Sequence, residues 1–309
     1  MWNREKSIEQ DISCNNGQNA QVFGLIRPAK LMVVHIVNEQ EGAAPASGSQ
    51  AVDRALALLQ ITGRSAGRGV ALSELIAASG LGKPTVRRLM LALIRRGLVE
   101  QDSVTRLYHL GEESYVLGTL ATPRHGLLEI AADAAVRLAG ASGDTAFVNM
   151  RRGSAAVCLH REDGAFPIRT HALETGAQHP LGIGAGSLAM LSALPDAEVE
   201  MVLADNAEGM AANYPNYNVD LLRSDVATTR ARGFALNPGR IVPGSWGIGV
   251  VLRRPNGSVA GAMSIAAIES RMQPPRDAEL AALLTREAQE IEMRLARRMP
   301  QTTLQEDQR

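Results

Sequence analysis

Lys83, Thr85, Arg87 and Arg88 fall within six positions, and their chemistry is that of binding to a polyanion. A guanidinium can meet a guanine edge through two parallel hydrogen bonds, a contact worth roughly 1–3 kcal/mol of discrimination. The Thr85 hydroxyl suits a phosphate oxygen or a thymine methyl, and Arg106 suits the DNA backbone or the minor groove. Val86, Leu89 and Leu93 recur at helical spacing between these residues, so an apolar side can be buried while the cations face out. The competing interpretation is that Arg87, Arg88, Arg95 and Arg96 are only the solvated side of an ordinary core helix. The chain carries 32 basic and 32 acidic residues, so bulk charge does not announce a nucleic-acid binder. Between Gln50 and Gly118, however, nine Lys/Arg stand against six Asp/Glu, and six of the nine lie from Lys83 to Arg106. That is a local patch able to attract phosphate.

A second constellation is Gly184-Ala185-Gly186 at the start of a helical run. Free backbone N–H groups and the positive end of a helix would favour an anion there, and Ser264 can add a hydroxyl. Ser187, with His179 and Asp196, permits a hydrolase to be imagined, but no G-x-S-x-G elbow is present. Cys158 and His160, two apart on a strand, would share a face and could ligate zinc. No paired Cys-x-x-Cys accompanies them, so no metal, cofactor or catalytic residue is expected.

These residues need elements to position them. A chain of 309 residues fits two domains, and 45% hydrophobic residues suit globular cores. No stretch reaches the roughly 18 uninterrupted apolar residues of a spanning helix. Leu25–Val37 is broken by Arg27, Pro28, Lys30 and His35, so it does not read as a signal peptide. Two cysteines, Cys14 and Cys158, fit a reducing cytoplasm. Residues 1–49 read as a flexible tail, with Met32 as an alternative start, and 301–309 as a second tail.

Val52, Ala55, Leu56 and Leu59 predict one helix, and Leu72, Leu75 and Ile76 predict another that Gly80 stops. A third begins at Pro84 and ends at Gly97. Leu98–Glu100 and Leu107–Leu110 flank a polar turn, completing a winged helix-turn-helix over 50–112. A connecting helix over Glu113–Leu120, interrupted by Pro123, makes 113–125 a linker. Residues 126–300 read as an α+β domain. It combines a helix over Leu127–Leu138, strands at Thr145–Met150, Ala155–His160 and Phe166–His171, and helices at Glu198–Ala204 and Asp220–Arg232. The Ser245–Leu252/Ser258–Ile268 hairpin and a last helix over Asp277–Arg298 close it.

Val70–Leu75, Ser79–Leu89, Gly97-Leu98-Val99 and Tyr108–Gly111 resemble the IclR-type transcriptional regulators. The resemblance continues through Gly176, Pro180-Leu181, Gly184–Gly186, Leu194-Pro195, Arg232–Ala235 and Ala262–Ser264, covering about Gln50 to Arg298. It implies a GAF-like C-terminal fold with an effector pocket for a small organic or aromatic acid against the glycine turn and last strands. The family usually has a small hydroxyl residue where this chain has Pro84. Asn237 stands where an acidic residue is frequent, Gly247 where a cysteine is common, and Ala266 where a second serine occurs. His171 and His179 occupy positions that are often apolar. The expected effector site is His171, His179, Gly184, Ala185, Asn237, Gly247, Ser264 and Ala266, for a polar or ionised ligand other than the small keto acids, with binding that varies near pH 6–7. The expected DNA contacts are Lys83, Thr85, Arg87, Arg88 and Arg106, on a pseudo-palindromic duplex bound by a homodimer or homotetramer in the cytoplasm. A constitutive DNA binder without effector is the alternative.

Overall fold

The structure is a computed structural model and describes residues 49–65, 67–169 and 173–298. The expected tails over 1–48 and 301–309, Cys14 and His171 lie outside those residues. The N-terminal elements are α1 (Gln50–Gly63), α2 (Leu72–Ser79) and α3 (Lys83–Arg95), then an antiparallel hairpin of β1 (Val99–Gln101) and β2 (Tyr108–Leu110). Local chemistry sets each boundary. The Glu74 carboxylate accepts the Ala71 N–H at 2.8 Å, and Gly80 closes α2 at φ +65°, where a side chain would be strained. Pro84, with its fixed φ, sits in the first turn of α3.

Leu58, Leu75, Val86, Leu89, Met90, Leu93, Val99 and Tyr108 are buried together. At roughly 1.5–3 kcal/mol for each fully buried large side chain, this cluster is what holds α3 against α1. Helix, helix, turn, helix and wing make a winged helix-turn-helix.

Helix α4 runs over Glu112–His125 and passes through Pro123, contrary to the expected break. Pro123 supplies no N–H to the Thr119 carbonyl, and the helix ends two residues beyond it. After Gly126, α5 spans Leu127–Ser142. Then come β3 (Thr145–Arg152), β4 (Ala155–Glu162), β5 (Gln178–Pro180), α6 (Ala185–Ser192), α7 (Asp196–Asn213), α8 (Val219–Arg232), β6 (Ala235–Pro238), β7 (Ser245–Arg253), β8 (Val259–Ile268) and α9 (Arg276–Arg298).

The strands form one antiparallel sheet in the order β5-β4-β3-β8-β7-β6. Alternation splits its side chains between two cores. Val148, Ile248, Val250, Met263 and Ile265 pack with residues of α5 and α9, while Ala156, Ala235 and Ala262 pack with α6, α7 and α8. At the middle of the sheet, Gly261 leaves almost no thickness. A Cβ there would lie 2.4 Å from the Leu127 side chain and 2.4 Å from the Asn149 carbonyl oxygen.

Three expectations are corrected. Residues 166–169 form no strand: the Phe166 N–H bonds the Gly143 carbonyl at 2.8 Å, and its ring lies 3.9 Å beneath the Arg271 guanidinium. The edge position beside β4 is taken instead by β5. Helix α7 is far longer than Glu198–Ala204. The register skips Leu159, pairing Cys158 with Asn149 and His160 with Val148, so this bulge puts the two expected metal candidates on opposite faces. Among the described residues no cluster of three or more His, Cys, Asp or Glu could hold a metal ion.

Candidate functional site

Helix α3 buries Val86, Leu89, Met90 and Leu93, and this forces Lys83, Arg87 and Arg88 outward, where all three are exposed. Thr85 is half-buried, and its N–H is taken by the Gly82 carbonyl at 3.0 Å. Among the described residues none of Lys83, Arg87, Arg88, Arg95 or Arg96 has a carboxylate partner, unlike Arg68, which pairs with Glu74. An unneutralised cationic helix end standing on a rigid core can bring donors to phosphates and base edges.

The wing between β1 and β2 is built around Asp102. Its Oδ1 accepts the N–H of Val104 at 2.9 Å, and the N–H and hydroxyl of Thr105 at 2.6 and 2.9 Å. These bonds, Thr105's first, hold the Asp102 carboxyl below the usual carboxylate range. The turn leaves Arg106 at φ +63°, the one non-glycine residue with positive φ among the described residues. Its N–H donates to the Asp102 carbonyl at 3.0 Å and its carbonyl accepts Gln101 Nε2 at 2.9 Å. The Arg106 side chain is exposed.

The glycine turn builds the second site. Gly184, at φ +83°, introduces α6, every residue of which is buried. The sheet admits this helix because β7 carries glycines under it: a Cβ on Gly249 would lie 2.8 Å from the Ala185 and Gly186 backbone. A cavity of about 50 Å³ remains at the start of α6, on the measure by which roughly 10–15 Å³ admits one water. Of the eight expected effector residues, His179, Gly184, Ala185, Asn237, Gly247, Ser264 and Ala266 line it. His171 lies outside the described residues. Among the described residues no charged side chain lines the cavity.

Three buried side-chain polar atoms among the described residues lack a hydrogen-bond partner, and two belong to this wall: Asn149 Oδ1 and His179 Nδ1. Asn149 Nδ2 donates to Ser264 Oγ at 3.4 Å. The first amide N–H groups of α6 also have no partner within the helix. Burial pushes the His179 imidazole down to about 4, so the ring is neutral at physiological pH. The expected variation of binding near pH 6–7 therefore does not come from His179. Behind the wall, Tyr217 Oη accepts the Gly184 N–H at 3.4 Å and donates to Asn237 Oδ1 at 2.9 Å. Arg64, the C-cap of α1, donates to Gln178 Oε1 at 3.3 Å on β5, one residue before His179.

The imagined hydrolase triad is not assembled. Ser187 Oγ accepts the Gly182 N–H at 2.9 Å and donates to the Pro180 carbonyl at 3.3 Å. Asp196 is engaged at the surface by Arg230 at 2.6 Å. Sequence reasoning missed Asn149, Ile241 and Trp246, which also line the cavity, and Tyr217 behind it. Asn149 left a signal, as the one amide in the otherwise apolar run Ala146–Met150.

Residues 51–103 match the family model for the IclR helix-turn-helix domain, and residues 119–293 match that for the bacterial transcriptional regulator IclR C-terminal domain. The chain is 27% identical to the HTH-type transcriptional regulator BhcR of Paracoccus denitrificans over 263 residues, covering 83% of this chain and 91% of that protein. It is 29% identical to the HTH-type transcriptional repressor AllR of Klebsiella pneumoniae over 240 residues, covering 77% and 86% respectively. Among solved structures, an IclR transcriptional regulator of Silicibacter sp. TM1040 superposes with a TM-score of 0.67 at 25% identity, covering 79% of this chain and 96% of that one.

Proposed function

The chain belongs to the IclR family of bacterial transcriptional regulators, and from that premise we propose that it senses a small organic acid and adjusts its grip on DNA accordingly. The observation that carries the sensing half is the cavity at the start of α6. Two buried, unpartnered polar atoms and the helix N-terminus converge on one uncharged space. Burying a polar group without a partner costs about 1–3 kcal/mol, so such a place favours a guest that supplies the missing bonds. A carboxylate matches the N–H groups at the start of α6 and the hydroxyl of Ser264.

For the DNA half, Lys83, Arg87 and Arg88 are the proposed contacts in the major groove, with Thr85 on phosphate and Arg106 on the backbone or minor groove. The protein works as a dimer at least. Tyr115 and Leu120 on α4 are 76% and 72% exposed, and Val52 and Leu56 on α1 are also exposed, a distribution that favours pairing through these helices. Two recognition helices then stand about one DNA turn, roughly 34 Å, apart on a pseudo-palindrome. Ligand in the cavity favours one spacing over another. The Arg64–Gln178 contact supports such coupling, because it ties the end of α1 to the strand that carries His179.

A thermal-shift series with short carboxylic acids tests the sensing half, since a ligand bound only by the folded state raises Tm. The expected result is a rise for at least one acid that Ser264→Ala diminishes. No rise across the series, or an unchanged rise in the variant, would sink this reading. DNase footprinting on the promoter fragments of its own locus, with and without that acid, tests the coupling, which fails if the protection pattern never changes.

A further inference from the structure

Tyr217 does not line the cavity, yet it touches two of the residues that do. Its buried hydroxyl accepts the Gly184 N–H at 3.4 Å, which uses oxygen lone-pair density and leaves the phenolic proton to find an acceptor. That acceptor is Asn237 Oδ1 at 2.9 Å. An amide whose oxygen is held from behind has only its NH2 group left for the space in front. The ring cannot swing away to relax this arrangement. It packs edge-on to Tyr214 with centroids 6.3 Å apart and lies 5.8 Å below the Arg240 guanidinium, which Asp225 pairs in turn. Burial also pushes the phenol up to about 12, so it keeps its proton at any working pH.

We infer that Tyr217 is a positioning residue for effector selectivity: it fixes Asn237 with Nδ2 toward the cavity, so that the ligand group seated there must be a hydrogen-bond acceptor. The cavity then has two polar ends. A Cβ on Gly186 would fall 2.7 Å from Asn149 Nδ2 and 3.1 Å from Ser264 Oγ, which marks the first end. Asn237 marks the second, beside Gly247 and Ala185. The first end offers the Ser264 hydroxyl proton and the opening N–H groups of α6, beside the unpartnered Asn149 Oδ1, and the second offers the Asn237 amide; among the described residues neither end carries a charge. The preferred ligand class is a compact acid with a second acceptor, such as a short dicarboxylate. An acidic residue in place of Asn237 would offer acceptors and demand a donor from the ligand, so this one position reverses the pattern required of the guest.

The inference rests on the cavity being the effector site, and the experiment separates the two. Isothermal calorimetry on the full chain uses two near-isosteric pairs, oxalate with oxamate and malonate with malonamate, in which one carboxylate becomes a carboxamide. Wild type is expected to bind each dicarboxylate at least tenfold more tightly than its monoamide. Tyr217→Phe keeps the ring and its packing but lets the Asn237 amide turn over, and should shrink that ratio to within about threefold. Asn237→Asp keeps an acceptor for Tyr217 and should make the monoamide the better ligand. A wild-type ratio near one, or a ratio that Tyr217→Phe leaves untouched while Tm changes, overturns the role of Tyr217 and leaves the effector site standing. No binding of any of the four compounds to wild type, or binding that Ser264→Ala does not weaken, overturns the effector site and the inference with it.

Discussion

Two helices of this protein begin alike and end in opposite circumstances. Both α3 and α6 follow a glycine N-cap with extended ψ, at Gly82 and Gly184, and neither N-cap makes a side-chain hydrogen bond. The start of α3 stands in solvent with three cations and no carboxylate among the described residues to neutralise them, so its attraction acts at a distance and is screened by salt. Helix α6 is buried throughout and its cavity is lined by no charge among the described residues, so its attraction acts only on what fits. The lesson is that a helix N-terminus is a general anion-binding device whose range is set by its surroundings. One end is open to a long polyanion, and the other can be reached only by what its cavity admits.

The largest expected effect is on the buried side. Burial lowers the His179 imidazole from 6.5 to about 4, so the folded state resists a proton that the unfolded chain accepts. Stability is complete above about pH 6.5 and falls as pH drops toward 4, by up to about 3 kcal/mol. Urea melts between pH 7 and 4.5 should show this loss, and His179→Gln should remove most of it. If both proteins lose stability equally, the imidazole is not the cause.

Next comes Gly249→Ala. Its Cβ would meet the α6 backbone at 2.8 Å, and overpacking of this kind costs about 2–3 kcal/mol, read as a lower urea midpoint. An unaltered midpoint would show that α6 yields. On the exposed helix, Arg88→Ala should weaken operator binding by roughly 1–3 kcal/mol and relax selectivity at one base pair. Gel retardation at 50 and 200 mM salt should also show steep weakening in wild type, whereas acid binding in the cavity changes little. Equal salt sensitivity of the two sites would erase the contrast.

A smaller effect is expected at Arg106. Glycine suits φ +63° better than arginine does, so Arg106→Gly should hold or raise stability by up to about 1 kcal/mol while DNA affinity falls severalfold. A fall in both would mean the residue serves the fold rather than the duplex. Arg96→Ala, at the far end of α3, should change affinity by less than about twofold. If it outweighs Arg88→Ala, the helix is turned the other way.

Much of this was legible from residue order. The 3.6-residue period of Val86, Leu89 and Leu93 put three cations outside α3, because burial of the apolar stripe decides the phase of a helix. The glycine turn at Gly184–Gly186 was readable as a helix start with free N–H groups, and a cavity lies there. What the sequence concealed is long-range. Phe166 has a strand-like neighbourhood, but its ring is drawn to Arg271, more than a hundred positions away. The skipped Leu159 cannot be seen without the partner strand that sets the register. Tyr217 sits in a loop between two helices, and only the fold brings its hydroxyl to Asn237.

Gly261 gives the sheet a waist. Close beside it lie both the carbonyl of Asn149, whose amide lines the cavity, and the side chain of Leu127, which opens α5 just after α4 ends. The contact leaves no slack, and close-packed interiors pass displacement on rather than absorb it. A side chain added at Gly261 would therefore press at once on the strand that carries Asn149 and on the first turn of the helix that follows α4.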